Sequence, residues 1–321
     1  MRKPKTAAAE LLNSVREGNK RRASELMTLI EEGSPEGEEY LKELAATPKR
    51  AYVLGVTGWP GVGKSSLVYR IARSLLGQNK AVGIIAIDPS SPLSGGSLLG
   101  DRERMKGIDG DERLFIRSAA TRGHPGGIAK ATRGFVKVME AMGKEIVIVE
   151  TVGVGQDQVS IVQMAHTVLL VVVPGLGDYL QSLKAGVLEI GDIFVVNKSD
   201  RQGADQTVAD IEMMLGMNGS DGVWKPPVIK TVATNGAGTD ELMRQIERHR
   251  QVLEESQSIN YRRRSAAKTE ILELISARCL QRIAERLNLE ELLETYAERT
   301  CEGFSDPYTA VDEILRQSGI L

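Results

Sequence analysis

Eight consecutive residues combine glycine, lysine and serine at a spacing that binds phosphate. Residues 58–65, Gly-Trp-Pro-Gly-Val-Gly-Lys-Ser, match the pattern G-x-x-x-x-G-K-[ST]. An apolar run at 51–57 precedes them and an amphipathic run at 65–76 follows, which predicts a strand, a glycine-rich turn and a helix. In that setting backbone N–H groups face a polyphosphate, Lys64 reaches its β- and γ-phosphates, and the Ser65 hydroxyl can bind Mg²⁺. The predicted phosphate-site residues are Gly58, Pro60, Gly61, Val62, Gly63, Lys64, Ser65 and Ser66. The alternative is a glycine-rich turn without a ligand.

A second motif selects the base. Residues 197–200, Asn-Lys-Ser-Asp, follow an apolar run at 193–196, at the strand end where open α/β sheets bind ligands. Asp200 can accept hydrogen bonds from N1–H and the 2-amino group of guanine, whereas adenine has no donor at either position. A site built on such bonds rejects a base that lacks the donors. We expect Lys198 to cover the face of the base and the Asn197 amide to join this loop to the phosphate loop. GTP is therefore favoured over ATP; the alternative is that Asp200 only caps a helix.

An acidic residue and a glycine follow a third apolar run. Glu150 comes directly after the run at 146–149, and Gly153 stands three residues later. A carboxylate at such a strand end can hold a metal-bound water, and the glycine N–H can meet a γ-phosphate. We therefore predict that Glu150 and Gly153 respond to Mg²⁺ and the γ-phosphate. A turn-forming role for Glu150 is the alternative.

Another strand end carries a further carboxylate. Asp88 ends the run at 82–87 and opens a segment at 88–101 that is rich in proline, glycine and serine. This composition predicts an irregular loop at the place of a switch. Asp88 is positioned to orient an attacking water or to hold metal, and Asp101 is the second candidate. The alternative for Asp88 is an Asp-Pro turn.

Two more loops follow predicted strands. Residues 174–186 contain glycines that permit movement, and their Lys184 can respond to charge near the nucleotide or across an interface; a solvated lysine is the alternative. Residues 231–238 stand where the last guanine-contacting loop is expected, so a backbone N–H around Ala233 is a candidate donor to guanine O6.

Seven apolar runs indicate the fold that positions these residues. They lie at 51–57, 82–87, 114–116, 146–149, 167–173, 193–196 and 227–231. Continuous β-branched runs are typical of strands covered on both faces, so we predict an α/β fold with a mainly parallel β-sheet flanked by helices.

Helical patterns lie on both sides of this region. Residues 1–50 carry apolar stripes, and Ser34 followed by Pro35 predicts a helix start. Residues 258–321 are helical in pattern, with stripes that need another surface to bury them. We predict an N-terminal helical extension at 1–50, a nucleotide-binding domain at 51–257 and a C-terminal helical dimerisation region at 258–321. Packing of these last helices on the same chain is the alternative.

Composition argues against several classes of protein. With 321 residues, 41% of them hydrophobic, the chain can bury a sizeable core, and its net charge of −2 gives no sign of nucleic-acid binding. Only two cysteines occur, and three histidines (His124, His166 and His249) make no cluster with ligand spacing. No segment approaches membrane-spanning length, and no signal or transit peptide is evident. We expect a bacterial-type cytoplasmic protein without nucleic-acid or membrane partners; the alternative is the mature form of a processed protein.

Six motifs together resemble the MeaB/ArgK-type GTPases, the methylmalonyl-CoA mutase-associated family that includes the mitochondrial MMAA protein. They lie at 58–66, 87–102, 120–127, 150–156, 174–186 and 197–200. The resemblance covers nearly the whole chain. It implies a P-loop GTPase, a homodimer built on the C-terminal helices, and a chaperone whose nucleotide state gates cofactor delivery to an adenosylcobalamin-dependent acyl-CoA mutase, or protects or reactivates it. Adenosylcobalamin belongs to that partner mutase.

The resemblance also implies a role for each matched residue. Lys64 and Ser65 serve phosphate and Mg²⁺; Asp88, Asp101 and Glu150 serve metal, water and switching; Lys184 lies in a third switch that answers the partner; Asn197, Lys198 and Asp200 read guanine. Two alternatives stay open. A nickel-type metallochaperone would call for a Cys/His site, which the sequence lacks, and a kinase would call for an acceptor-binding motif, of which none is visible. The identity of the client mutase is also open.

Overall fold

A parallel sheet of seven strands forms the centre of the part of the chain that the structure describes. The structure is a computed structural model, and it describes residues 5–45, 50–88, 107–108, 110–120, 127–151, 164–175, 190–217 and 223–319. The strands are β1 (Tyr52–Gly58), β2 (Val82–Asp88), β3 (Leu114–Ala120), β4 (Ile146–Glu150), β5 (Thr167–Val172), β6 (Ile193–Val196) and β7 (Val228–Lys230). Their order is β3-β2-β4-β1-β5-β6-β7, and every neighbouring pair is parallel. All their carboxyl ends therefore lie at one edge of the sheet.

Helices account for most of the other described residues. They are α1 (Lys5–Arg16), α2 (Lys20–Glu31), α3 (Pro35–Leu44), α4 (Lys64–Gly77), α5 (Gly127–Ala141), α6 (Ala204–Met217), α7 (Thr239–Glu255), α8 (Ser258–Arg286), α9 (Leu289–Cys301) and α10 (Pro307–Ser318). Together with the sheet they confirm the predicted α/β fold.

Each predicted apolar run forms a strand. All residues of β1, β4, β5 and β6 are buried, as expected for strands that are covered on both faces. The strand β3 continues to Ala120, four residues beyond its apolar run, because its polar residues Arg117 and Ser118 also pair with β2. Apolar composition therefore marks the centre of this strand but not its end.

The two faces of the sheet bury different helices. On one face, Leu67 and Ile71 of α4 and Leu242 of α7 join the core formed by alternate strand residues. On the other face the core includes Leu26 of α2 and Phe135 of α5. The apolar stripes of the N-terminal helices therefore pack against the domain that follows them.

The start of α3 is also as predicted. Ser34 is its N-cap, the Ser34 hydroxyl accepts a 3.0 Å hydrogen bond from the Gly37 N–H, and Pro35 is the first helical residue.

The described chain divides into two compact units, Met1–Arg263 and Arg264–Leu321. The second unit has a small core of its own, which contains Ile283, Tyr296 and Ile314. Its predicted helical character is confirmed. The three-region division at residues 50 and 257, and the dimerisation role of the last region, stay predictions.

In the described ranges, no helix combines the length and the apolar character that crossing a membrane requires.

Candidate nucleotide site

The phosphate loop joins the carboxyl end of the central strand β1 to the start of α4. Gly58 has a φ of 142°, and a Cβ there would lie 2.1 Å from the Val171 carbonyl oxygen of the neighbouring strand. Gly63, the N-cap of α4, has a φ of 95°, and a Cβ there would lie 2.4 Å from Asn197 Nδ2. Both positions therefore need glycine, for the backbone angle and for space. The predicted strand, turn and helix are confirmed, and the helix N-terminus opens where an anion is favoured.

Lys64 begins α4 and is almost completely buried, with 6% of its surface exposed. Its Nζ donates hydrogen bonds of 2.8 Å to the Gly58 carbonyl and 3.0 Å to the Trp59 carbonyl, so the ammonium group is held inside the loop. Burial lowers the pKa of Lys64, and the nearby charge of Glu150 opposes that shift. A polyphosphate placed in this loop would meet a cation that is already positioned.

Ser65 and Glu150 lie in contact although 85 residues separate them. The Ser65 hydroxyl donates a 2.6 Å hydrogen bond to Glu150 Oε1. Glu150 ends β4, which pairs with β1 at Val56, so the sheet brings the carboxylate beside the start of α4. A hydroxyl and a carboxylate oxygen are the ligand types that Mg²⁺ accepts in nucleotide sites. The residues present therefore fit the ion that the phosphate motif implies.

Asn197 connects the guanine motif to two other loops. Its side chain is buried, and its Nδ2 donates a 2.7 Å hydrogen bond to the Val62 carbonyl of the phosphate loop. Its Oδ1 accepts from the Thr231 hydroxyl at 3.2 Å and from the Ala233 N–H at 3.1 Å. The predicted amide link between the two motifs is thus present in the structure.

Lys198 and Asp200 follow on the same loop. Lys198 has a φ of 55°, a left-handed angle that side-chain-bearing residues rarely adopt, and its Nζ donates a 2.6 Å hydrogen bond to the Gly61 carbonyl. The Lys198 stem therefore runs toward the phosphate loop. Asp200 is exposed at the carboxyl edge of the sheet, where a ligand can reach its carboxylate. This placement is compatible with the predicted contacts of Lys198 with the face of a base and of Asp200 with its edge.

In the loop at 231–238, the N–H that was predicted to meet guanine O6 already has an acceptor. The Ala233 N–H already donates to Asn197 Oδ1, so it would have to share or exchange that acceptor in order to meet guanine O6. The Thr234 N–H is the next donor along the chain and has no acceptor among the described residues. The loop itself is closed by the bridge between Val232 and Ala237.

The other predicted site residues divide by what the structure describes. Val62 is buried, Pro60 and Gly61 are exposed, and Ser66 is half-buried in the first turn of α4. Asp88 is the last residue of β2, so its backbone lies at the same edge of the sheet. Asp101, Gly153 and Lys184 lie outside the described residues.

Two participants in this network were not singled out by sequence reasoning. Thr231 donates its hydroxyl to Asn197 Oδ1, and Arg70 of α4 donates from Nε to the Ala233 carbonyl at 2.8 Å. Thr231 could have been found from its position at the end of a predicted strand. Arg70 stands six residues after Lys64 on a helix, and nothing in its local sequence indicates a partner 163 residues away.

The edge of the sheet thus brings together two sets of groups that suit different parts of a nucleotide. Glycine turns, Lys64 and the helix N-terminus suit phosphate oxygens, whereas Asp200 presents acceptors for ring donors. The Asn197 amide connects the two parts. Among the described residues, no group of three or more His, Cys, Asp or Glu side chains could hold a metal ion.

Comparison with known families is consistent with this geometry. The family described as "Methylmalonyl Co-A mutase-associated GTPase MeaB" matches residues 23–288. A Pyrococcus abyssi relative, which its name places among GTPases, is 42% identical over 311 residues, and the match covers 96% of each chain. The GTPase ArgK of Escherichia coli is 34% identical over 242 residues, which are 73% of each chain.

A solved structure shares the fold. The crystal structure described as "LAO/AO transport system kinase" has a TM-score of 0.76 and is 22% identical. It covers 98% of this chain, which in turn covers 99% of that one. At this identity the likeness shows the fold alone.

Proposed function

The chain belongs to the MeaB family of methylmalonyl-CoA mutase-associated GTPases and is a GTPase, and we propose that it acts as a chaperone for an adenosylcobalamin-dependent acyl-CoA mutase. The client is methylmalonyl-CoA mutase or a close relative. The nucleotide state of the chain gates delivery of adenosylcobalamin to that mutase, or protects or reactivates it. The cobalamin belongs to the mutase and not to this chain.

The contact between Ser65 and Glu150 carries the proposal of a nucleotide-dependent switch. Their 2.6 Å hydrogen bond joins the start of the phosphate-loop helix to the last residue of β4. The chain after β4 contains Gly153, for which we propose a contact with the γ-phosphate. A change in the partners of Ser65 between GDP and GTP would therefore be transmitted directly to the segment after β4.

Phosphate binding uses groups that are already in place. Backbone N–H groups at the start of α4 bind phosphate oxygens, and Lys64 exchanges a loop carbonyl for a phosphate oxygen when nucleotide enters. Positioning and electrostatic stabilisation account for most catalysis of phosphoryl transfer. Mg²⁺ supplies charge neutralisation at the phosphates when bound. We assign it to Ser65 and Glu150, with Asp88 and Asp101 as further candidates, and Lys184 to a partner-responsive switch.

Base recognition is proposed for the three motif residues after β6. Asp200 accepts from N1–H and the 2-amino group of guanine, Lys198 covers the face of the ring, and Asn197 keeps this loop against the phosphate loop. A pocket with a carboxylate in this position discriminates by leaving that carboxylate without donors when adenine enters.

A homodimer is proposed from the apolar surface of the second unit. Large apolar side chains are exposed on its helices: Ile271, Leu272, Ile275, Leu280, Leu293, Tyr308 and Val311. Apolar surface of this extent is a mark of an interaction site. The double variant Ile275→Glu, Leu280→Glu should halve the mass measured by light scattering, whereas Lys268→Glu, an exposed polar position on α8, should not. The proposal fails if the unaltered protein is already monomeric.

Affinity capture from the native host tests the chaperone proposal. The tagged chain is loaded with GDP or with a nonhydrolysable GTP analogue, and co-purified proteins are identified. An adenosylcobalamin-dependent mutase should be captured in amounts that differ between the two nucleotides. The variant Lys64→Met serves as control, because it should lose that difference together with nucleotide binding. A mutase that is absent from both samples would contradict the chaperone role.

The cytoplasmic location stays a prediction.

A further inference from the structure

A single arginine connects the phosphate-loop helix to the loop at 231–238, which we call the base loop. Arg70 lies on α4 and is half-buried. Its Nε donates a 2.8 Å hydrogen bond to the Ala233 carbonyl, and its Nη2 donates to the Thr234 carbonyl. Two successive carbonyls are therefore held by one planar guanidinium group, whose donors are fixed relative to one another.

This contact fixes the orientation of one peptide unit. The peptide bond between Ala233 and Thr234 is planar and trans, so its C=O and N–H point in opposite directions. Because Arg70 holds the Ala233 carbonyl toward α4, the Thr234 N–H points away from α4. That N–H has no acceptor among the described residues, and Thr234 is exposed.

The same loop is anchored on its other side by the guanine motif. The Ala233 N–H donates to Asn197 Oδ1, and the Ser199 N–H donates to the Thr231 carbonyl at 3.1 Å. The base loop is thus clamped between α4 and the loop that carries Asp200. A donor that is held in this clamp can select for an acceptor on the base.

We propose that Arg70 is a positioning residue for base selection, which holds the base loop so that the Thr234 N–H is presented to the 6-oxo group of a purine nucleotide. The inference rests on the proposed reading of guanine by Asp200. It adds a second criterion: Asp200 tests the N1–H and 2-amino donors, while the loop held by Arg70 tests for an acceptor at position 6. Adenine presents an amino donor there, which faces the N–H unfavourably.

Affinities of GDP, IDP and ADP, measured by displacement of a ribose-labelled fluorescent GDP, test this role. IDP shares the 6-oxo group of GDP, whereas ADP lacks it. Arg70→Met should lower the affinities for GDP and IDP by the same factor, about 10-fold, which is the effect expected from losing hydrogen bonds to a charged group. The affinity for ADP should not change, so the ratio of GDP to ADP affinity should fall about 10-fold. Arg70→Lys, which keeps the charge and can hold one carbonyl, should restore part of the ratio.

Two controls separate the possible failures. Arg73→Met removes an exposed arginine from the same helix and should leave all three affinities unchanged. Asp200→Asn tests the base-reading proposal by itself, because an amide complements the 2-oxo group of xanthine and should shift preference from GDP to XDP. If that shift is absent, the reading of guanine by Asp200 is wrong. If it occurs but Arg70→Met weakens ADP as much as GDP, or weakens neither, the role of Arg70 is wrong. If the Arg70→Met protein folds poorly, Arg70→Lys provides the test instead. A ratio of GDP to ADP affinity in Arg70→Lys that equals the ratio in the unaltered protein would also overturn the inference.

Discussion

Asn197 Nδ2 donates a 2.7 Å hydrogen bond to the Val62 carbonyl, and this contact joins motifs that are 135 residues apart. Both partners are almost fully buried, so the bond is shielded from water. It joins the loop for which we propose phosphate binding to the loop for which we propose base recognition. A nucleotide that fits both parts must have the span that the Asn197 side chain sets.

Removal of the Asn197 side chain should destabilise the fold. Asn197→Ala leaves the buried Thr231 hydroxyl and Ala233 N–H without their acceptor. We expect the free energy of unfolding in urea to fall by roughly 2–3 kcal/mol, since each unsatisfied buried polar group is costly. Asn13→Ala, at an exposed position of α1, should change it by less than about 0.5 kcal/mol. Equal effects of the two changes would contradict the structural importance of Asn197.

Two glycines of the phosphate loop make a matched pair. Gly61 and Gly63 have φ angles of 79° and 95°, but only at Gly63 would a Cβ approach another group, Asn197 Nδ2. Both Gly61→Ala and Gly63→Ala should strain the backbone, whereas only Gly63→Ala should also displace Asn197. We expect fluorescent GDP to bind at least about 10-fold more weakly to Gly63→Ala than to Gly61→Ala, which corresponds to 1.4 kcal/mol or more. The clash argument is wrong if the two variants bind alike.

The Ser65 hydroxyl should determine how strongly magnesium supports GTP binding. We expect Ser65→Ala to reduce GTP affinity in excess Mg²⁺ by about 10-fold or more, and to have little effect in excess chelator, since the ligand it loses matters only with the ion present. Ser74→Ala, on the same helix but away from the loop, is the control. A loss of equal size with and without Mg²⁺ would point to a purely structural role for Ser65.

Two buried histidines should make the fold sensitive to acid. Burial, reinforced by nearby arginines such as Arg263, lowers the pKa of His166 to about 3. Burial also lowers the pKa of His249 to about 4, with the charge of Asp192 opposing the shift. Both rings are therefore neutral when folded and take up protons more readily when unfolded, from about pH 6.5 downward. The contribution of the two histidines to the free energy of unfolding is fully present above that pH and is lost as the pH falls toward 4.

Urea unfolding between pH 7 and pH 5 measures this effect above the range in which ordinary carboxylates titrate. In that window, each histidine can lower the free energy of unfolding by up to about 1.4 kcal/mol for each pH unit of acidification. The double variant His166→Gln, His249→Gln should be less stable at pH 7 and should have a flatter pH dependence. A slope that is the same in both proteins would mean that these histidines do not remain neutral in the fold.

The parts of the site that local sequence determines were predictable. The phosphate loop and the strand before the Asn197 motif were placed from spacing and β-branched runs, and the link from Asn197 to the phosphate loop followed from their expected positions at one sheet edge. Because no Cys/His cluster with ligand spacing occurs, the sequence favours histidines that are exposed or hydrogen-bonded over histidines that bind metal. His166 and His249 are buried, where His166 Nδ1 accepts from the Val53 N–H and His249 Nδ1 contacts the Thr167 hydroxyl.

Contacts between a side chain and a distant backbone were not predictable. The Ala233 N–H was expected to be available to guanine, but it donates to Asn197, and the Arg70 guanidinium holds the adjoining carbonyl. Neither contact has a periodic or compositional signal, because each depends on how α4, β6 and the base loop come together in the folded chain.

Calorimetric titration with GTP and with ATP, each in excess Mg²⁺, tests the central claim most directly. The claim is that a phosphate loop with Lys64 and a base-reading Asp200 act on one nucleotide. We predict that GTP binds at least about 100-fold more tightly than ATP, because adenine leaves the Asp200 carboxylate without donors. Equal binding of ATP and GTP, or no binding of either, would contradict the account.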